Sequence, residues 1–221
     1  MRNLLLLFAE MFFFGMFFVA GAQADVVRYV IQTESLAPDD RGRCESSDVC
    51  GIRFDVGFTA GRHFGFASSA TADASAKLLT EPFEVLAAEF SVPLASMDTW
   101  NGLRNRHMRD AFEADKFPLI TFKFTSAAPV ADKLTDGTKV TLNVKGLWQM
   151  HGVTKEIEVP VTVERVKGTE LVRLQGELAL SLKEYNVVVP PFLGVRVADR
   201  VSVHLKLNLI PGVSGVSSGT H

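Results

Sequence analysis

The sequence predicts an all-β, antiparallel fold with one short helix inserted near its middle, and two observations carry that prediction. Apolar and polar residues alternate at period two over most of the chain, the pattern of strands with one dry and one wet face. Turn dipeptides separate the alternating runs, at Asp136-Gly137, His151-Gly152 and Lys167-Gly168. Many such strands suit a barrel or a sandwich, and closure into a barrel also removes the exposed sheet edges.

The elements follow in chain order. Ile52, Phe54, Val56 and Phe58 alternate with Arg53, Asp55 and Gly57, and Phe90, Val92 and Leu94 with Ser91 and Pro93. Ile120, Phe122 and Phe124 share one parity, as do Val140, Leu142 and Val144. So do Ile157, Val159, Val161 and Val163, then Val172, Leu174, Leu178, Leu180 and Leu182. Val201, Val203, Leu205, Leu207 and Leu209 close the series. The exception is the stretch at about 98–112, where Trp100, Leu103, His107 with Met108, and Phe112 recur at helical spacing. Asp98 or Thr99 can cap its start. Pro190-Pro191 breaks the chain ahead of Phe192 and marks a loop at one end of the sheet.

The first residues stand apart from this pattern. Met1-Arg2-Asn3 is basic, Leu4 to Val19 is apolar, and Ala22-Gln23-Ala24 is a small-x-small cleavage site. Residues 1–24 read as a secretory signal peptide cut before Asp25. A retained anchor is the competing reading, but Glu10 leaves only Met11 to Ala20 uninterrupted, short for a bilayer span. Asp25, not a cysteine, stands immediately after the cleavage site, so a bacterial lipoprotein is not expected. The folded domain is expected over 25–210 and a flexible Gly/Ser-rich tail over 211–221.

A net charge of −2, with no basic run, disfavours nucleic acid as a partner. The two cysteines, Cys44 and Cys50, lie close together in a polar loop, and in an exported chain they are expected to form a disulfide. The rival reading, a redox or metal pair, lacks the spacing, and no histidine precedes His63. Neither a metal-ligand pattern nor a nucleophile motif is present, so no catalytic and no metal-binding residues are assigned.

The candidate site is the inward face. Phe54, Phe58, Phe90, Phe122 and Phe124 share inward parity, together with Leu142 and Trp148. They line either a packed core or an aromatic cavity, since an eight-stranded barrel has room for either. Trp100, Leu103, Met108 and Phe112 could roof such a cavity. Arg104 and His107, with Arg106 and Arg109, form either a solvated face paired to Asp110, Glu113 or Asp115, or a contact for a head group.

Three stretches resemble one known family. The segment from Leu94 to Phe124, LASMDTWNGLRNRHMRDAFEADKFPLITFKF, carries Thr99, Arg104, Arg106-His107-Met108-Arg109, Phe112, Phe117-Pro118, Ile120 and Phe122. Val144 to Lys155, with Gly146, Leu147 and His151-Gly152-Val153-Thr154-Lys155, and Ala198 to Val203, with Asp199 and Val201, follow at the expected places. Together they resemble the YceI-like family of exported bacterial barrels, over about Phe90 to Leu209. The resemblance implies a lipocalin-like β-barrel of about eight strands in the periplasm. It implies no cofactor beyond a bound isoprenoid lipid or quinone, held as carrier or store, with transient contact at a membrane surface and no catalysis; the alternatives are an enzyme acting on a lipid or a peroxide with His107 as base, and a packed stress-response barrel with no ligand. It leaves open whether the barrel pairs as a homodimer.

Overall fold

The computed structural model describes residues 26–32, 51–59, 61–78, 81–128, 130, 132–191 and 194–212. Eleven strands form one antiparallel sheet: β1 Val26–Ile31, β2 Ile52–Phe58, β3 Gly61–Ala67, β4 Thr71–Lys77, β5 Glu84–Pro93, β6 Met97–Asp98, β7 Leu119–Ala127, β8 Lys139–Met150, β9 Val153–Arg165, β10 Val172–Ser181 and β11 Val197–Pro211. The one α-helix, α1, spans Gly102–Ala111. The order β1-β4-β5-β7-β8-β9-β10-β11 returns to β1 through the β1–β11 pairing, so the sheet closes into an antiparallel eight-strand barrel.

The three remaining strands are continuations of barrel strands. Gln32 N donates to Asn208 O, and Gly51 O accepts from Lys206 N, both at 2.8 Å. β1 therefore leaves β11 and β2 rejoins it only two residues along, so β1 and β2 lie end to end beside β11 as two parts of one barrel strand. β3 and β4 are likewise parted by the bend at Ser68–Ala70, and β5 and β6 by a 3-10 turn at Leu94–Ser96. With these pairs joined, the barrel is a plain up-and-down meander, each strand bonded to the next.

Every run identified by alternation is a strand. Those not identified have physical reasons. β4, TADASAK, buries Ala72, Ala74 and Ala76, small residues that are poor strand formers and raise no hydrophobic signal. β3, GRHFGFA, points His63, Gly65 and Ala67 inward and its phenylalanines outward, so it lacks an apolar inward parity, while β6 is two residues long and β1 six. The helix is shorter than expected and its cap is different: Asn101 Oδ1 accepts the Arg104 N–H at 3.0 Å. Asp98 and Thr99 instead build the turn before it. Asp98 Oδ1 accepts from Trp100 N and Asn105 Nδ2, each at 2.7 Å, and Asn105 Oδ1 accepts from Thr99 N and Oγ1. The last strand runs through Pro211, past the expected domain end, and Gly212 N bonds Arg28 O. Residues 1–24, expected to be a signal peptide, and Cys44 and Cys50, expected to be bonded, lie outside the described residues, as do Phe192 and 213–221.

Asp199 ties the start of β11 to the turn after β10. Its Oδ2 accepts from Ser181 Oγ at 2.7 Å and its Oδ1 from Lys183 N at 2.8 Å. The Lys183 amide first, then the Ser181 hydroxyl, hold this carboxyl below its ordinary value of 3.8. Because the folded state depresses the pKa, the stabilisation is complete above that value and is lost as the pH falls through the lowered one. Asp199→Asn should therefore flatten the acid limb of stability, read by denaturant melts from about pH 5 to about pH 2. An unchanged acid limb would show that these bonds do not distinguish the two protonation states.

Candidate functional site: the barrel interior

The inward faces of the barrel strands enclose a cavity of about 140 Å³. Its wall is almost wholly apolar and includes Ile31, Ala74, Ala76, Ala88, Phe90, Ile120, Phe122, Phe124, Leu142, Trp148, Val161, Val163, Val172 and Leu207, together with Tyr29. The state of the wall decides between a packed and a hollow interior. Phe90, Phe122, Phe124, Ala88, Val144 and Leu205 point inward and line the space, yet all remain half-buried. Side chains in a dense core lose their accessible surface to neighbours. Here surface is left over, so the interior is hollow on the β5–β7 side.

Local sequence creates this shape. Phe122 pairs with Trp148 across β7–β8, and its ring centroid lies 6.3 Å from that of Phe90. The Phe122 ring also lies across Gly146, where an added Cβ would stand 2.3 Å from it. Glycine in the middle of a strand thus marks the close approach of an aromatic ring. The same device recurs at Gly65 beneath Phe54, with a would-be contact of 2.4 Å.

The two ends of the barrel differ. At the helix end, the family-like residues form a plug. His151 and Gly152, at φ 51 and 74, make the two-residue turn between β8 and β9. His151 Nδ1 lies 3.0 Å from Tyr185 O, and the Phe117 ring meets the imidazole edge-on at 4.8 Å. His151 Nε2 is 3.4 Å from Glu113 Oε1 but is too poorly aligned to form a hydrogen bond. Gly152 leaves room for Phe117, whose ring would be 2.6 Å from a Cβ there. Leu94, Phe112, Met150, Leu182, Tyr185 and Val187 are all buried at this end, and none is in the cavity wall. At the opposite end, Leu78, Phe83 and Leu134 from the connecting loops are buried and do line the cavity.

The sequence-predicted site residues divide accordingly. Phe90, Phe122, Phe124, Leu142 and Trp148 are in the wall. Phe54 is inward and buried beyond the cavity, and Phe58 stacks on His63 at 4.2 Å, at the β2–β3 turn. Trp100 does not roof the barrel. It has φ 55, precedes the helix, and packs against Phe64 and Phe66, which share the outer face of β3 with their cross-strand partners Asp55 and Arg53. Leu103 is 47% exposed, Met108 packs against the barrel core, and Phe112 is buried just past the helix. Arg104 and His107 are half-buried on α1, away from the wall. The expected roof fails because the Trp100 backbone is out of helical phase and the helix end is already filled.

Tyr29 and Arg165 escaped the sequence reading. Tyr29 is 3% exposed in the wall, and burial pushes its phenol up to about 12. Arg165 continues the inward parity of Val159, Val161 and Val163, and this arginine at the end of an apolar series was the available signal. Among the described residues, no group of His, Cys, Asp or Glu could hold a metal ion.

An up-and-down eight-strand antiparallel barrel around an apolar, aromatic-lined cavity is the lipocalin-like barrel architecture. The chain belongs to the YceI-like domain family, whose model matches residues 51–209. Burkholderia cenocepacia BcnA has a similar structure, with 22% identity, a TM-score of 0.57, and coverage of 71% of this chain and 94% of that one. A polyisoprenoid binding domain from Saccharophagus degradans, implicated in plant cell wall breakdown, shares 19% identity at a TM-score of 0.58, covering 73% of this chain and 93% of its own. The YceI protein of Campylobacter jejuni shares 16% identity at a TM-score of 0.50, with 65% and 82% covered. Among curated proteins none matches.

Proposed function

We propose that this protein binds an isoprenoid lipid, a polyprenyl lipid or an isoprenoid quinone, inside its barrel and acts as a carrier or store. The observation that carries this reading is the half-buried state of Phe90, Phe122 and Phe124 around an apolar cavity. Family membership and the polyisoprenoid binding domain of similar fold support the same ligand class. A long chain requires wall side chains such as these phenylalanines to change rotamer as it enters.

The mechanism is sequestration. Each isoprene unit taken from water into the cavity gains on the order of 3–4 kcal/mol. Ordering of the flexible tail offsets part of this. Measured against a bilayer, already apolar, the gain is near zero, which suits exchange at a membrane surface. Export belongs to the proposal: residues 1–24 direct the chain to the periplasm and are removed before Asp25, and Cys44 pairs with Cys50 there.

Native mass spectrometry of the protein purified gently from its own host tests the reading. A retained mass in the range of a prenyl lipid is expected. A bare chain that also takes up nothing from prenyl-lipid vesicles would contradict it.

A further inference from the structure

Arg165 occupies a place where an arginine is costly to leave unpaired. It sits at the last position of β9, directly opposite Val172 of β10, a wall residue, and two residues beyond Val163, another. Its side chain therefore leaves the sheet on the inward face, at the barrel end remote from α1. It is half-buried, and its Nε is buried with no acceptor. Two other arginines, Arg53 and Arg173, also bury an unpaired Nε. Each of those places another nitrogen on a carboxylate, Asp55 at 2.7 Å and Glu164 at 3.5 Å. Arg165 has no ion-pair partner among the described residues. A buried guanidinium nitrogen without an acceptor costs free energy and calls for a missing group.

The phenol that shares this end is Tyr29. It lines the cavity, and the nearby positive charge of Arg165 acts on it more strongly than the carboxylate of Glu170, which is exposed at the same rim. Its hydroxyl stays protonated through the neutral range, so it can donate.

We infer that Arg165 and Tyr29 form the head-group site of the barrel and take a phosphate-bearing head group, with the prenyl tail running from there toward the α1 end. A guanidinium presents parallel N–H donors that match two oxygens of a phosphate, and a phenol adds a third donor. The inference rests on the carrier reading and assigns its polarity: the head lies opposite the helix, not beneath Arg104 and His107.

The test compares a polyprenyl monophosphate with the polyprenol of the same chain length, by calorimetric titration of wild type, Arg165→Met and Tyr29→Phe. Wild type should bind the phosphate at least about tenfold tighter than the alcohol. Arg165→Met should abolish that preference by bringing the phosphate affinity down to that of the alcohol, and Tyr29→Phe should narrow it. Inorganic phosphate at equal concentration should not displace the lipid. Should Arg165→Met not fold, Arg165→Gln makes the same comparison. Equal binding of both lipids by wild type, a preference that survives in the Arg165 variant, or displacement by inorganic phosphate would overturn the assignment and leave the carrier reading standing. Failure of either lipid to bind would overturn both.

Discussion

Ala88→Phe should weaken lipid uptake sharply while leaving the barrel as stable as before. Ala88 lines the cavity opposite Ala74, and it is half-buried although it points inward. A benzyl group added there enters empty space, so it gains contacts and displaces no neighbour. Affinity for a prenyl lipid should fall by at least about tenfold, since the tail and the ring compete for one volume. In a packed interior the same substitution would cost ~1–3 kcal/mol through overpacking. Ala76→Leu, a smaller addition to the same wall, should act in the same direction. Denaturant melts of delipidated protein alongside a lipid titration separate the outcomes. A stability loss of the overpacking size with no binding by wild type would identify a packed barrel.

The second expectation is an inversion of the usual order of truncation costs. Leu134 is 0% exposed beneath the loop that closes the end opposite α1, and Leu134→Ala should cost ~2–5 kcal/mol. Phe122 carries the larger side chain, and a fully packed phenylalanine would cost ~3–5 kcal/mol on truncation. Phe122 is only half-buried, held on one side by Gly146 and facing the cavity on the other. Phe122→Ala should therefore cost less than Leu134→Ala, and it should weaken prenyl-lipid binding at the same time. If Phe122→Ala proves the costlier of the two, the wall is packed.

The residues differ in how far their roles could be read from the sequence. Alternation at period two gives the inward parity of Phe90, Phe122, Phe124, Leu142 and Trp148 directly, because side-chain direction in a strand is set by the backbone alone. It cannot say whether inward means packed or hollow, since that depends on how eight strands curve together. Phe54 and Phe90 share inward parity, yet only Phe90 faces the cavity. The helix misled for a related reason. Trp100 and Leu103 fall at helical spacing in the sequence, but Trp100 sits in a left-handed turn before the first helical residue, and the spacing does not apply to it. β4 was invisible because its inward residues are alanines. The motif around His151-Gly152 was legible as a turn. Its purpose, to seat Phe117 and close one end, depends on a contact between segments far apart in sequence.

The central claim is that the space between the phenylalanines is the place a prenyl tail occupies, and the chain carries its own reporter. It has two tryptophans, Trp148 in the cavity wall and Trp100 against Phe64 and Phe66 on the outer face. In Trp100→Phe the remaining emission belongs to Trp148 alone. Titration of that variant with a prenyl lipid brominated near the end of its tail, where bromine quenches indole emission on contact, should give saturable quenching. The Trp100→Phe, Ala88→Phe double variant should need at least about tenfold more lipid for the same quenching. Trp148 emission that stays unchanged at lipid concentrations where the protein is shown to bind would place the tail elsewhere and contradict the account.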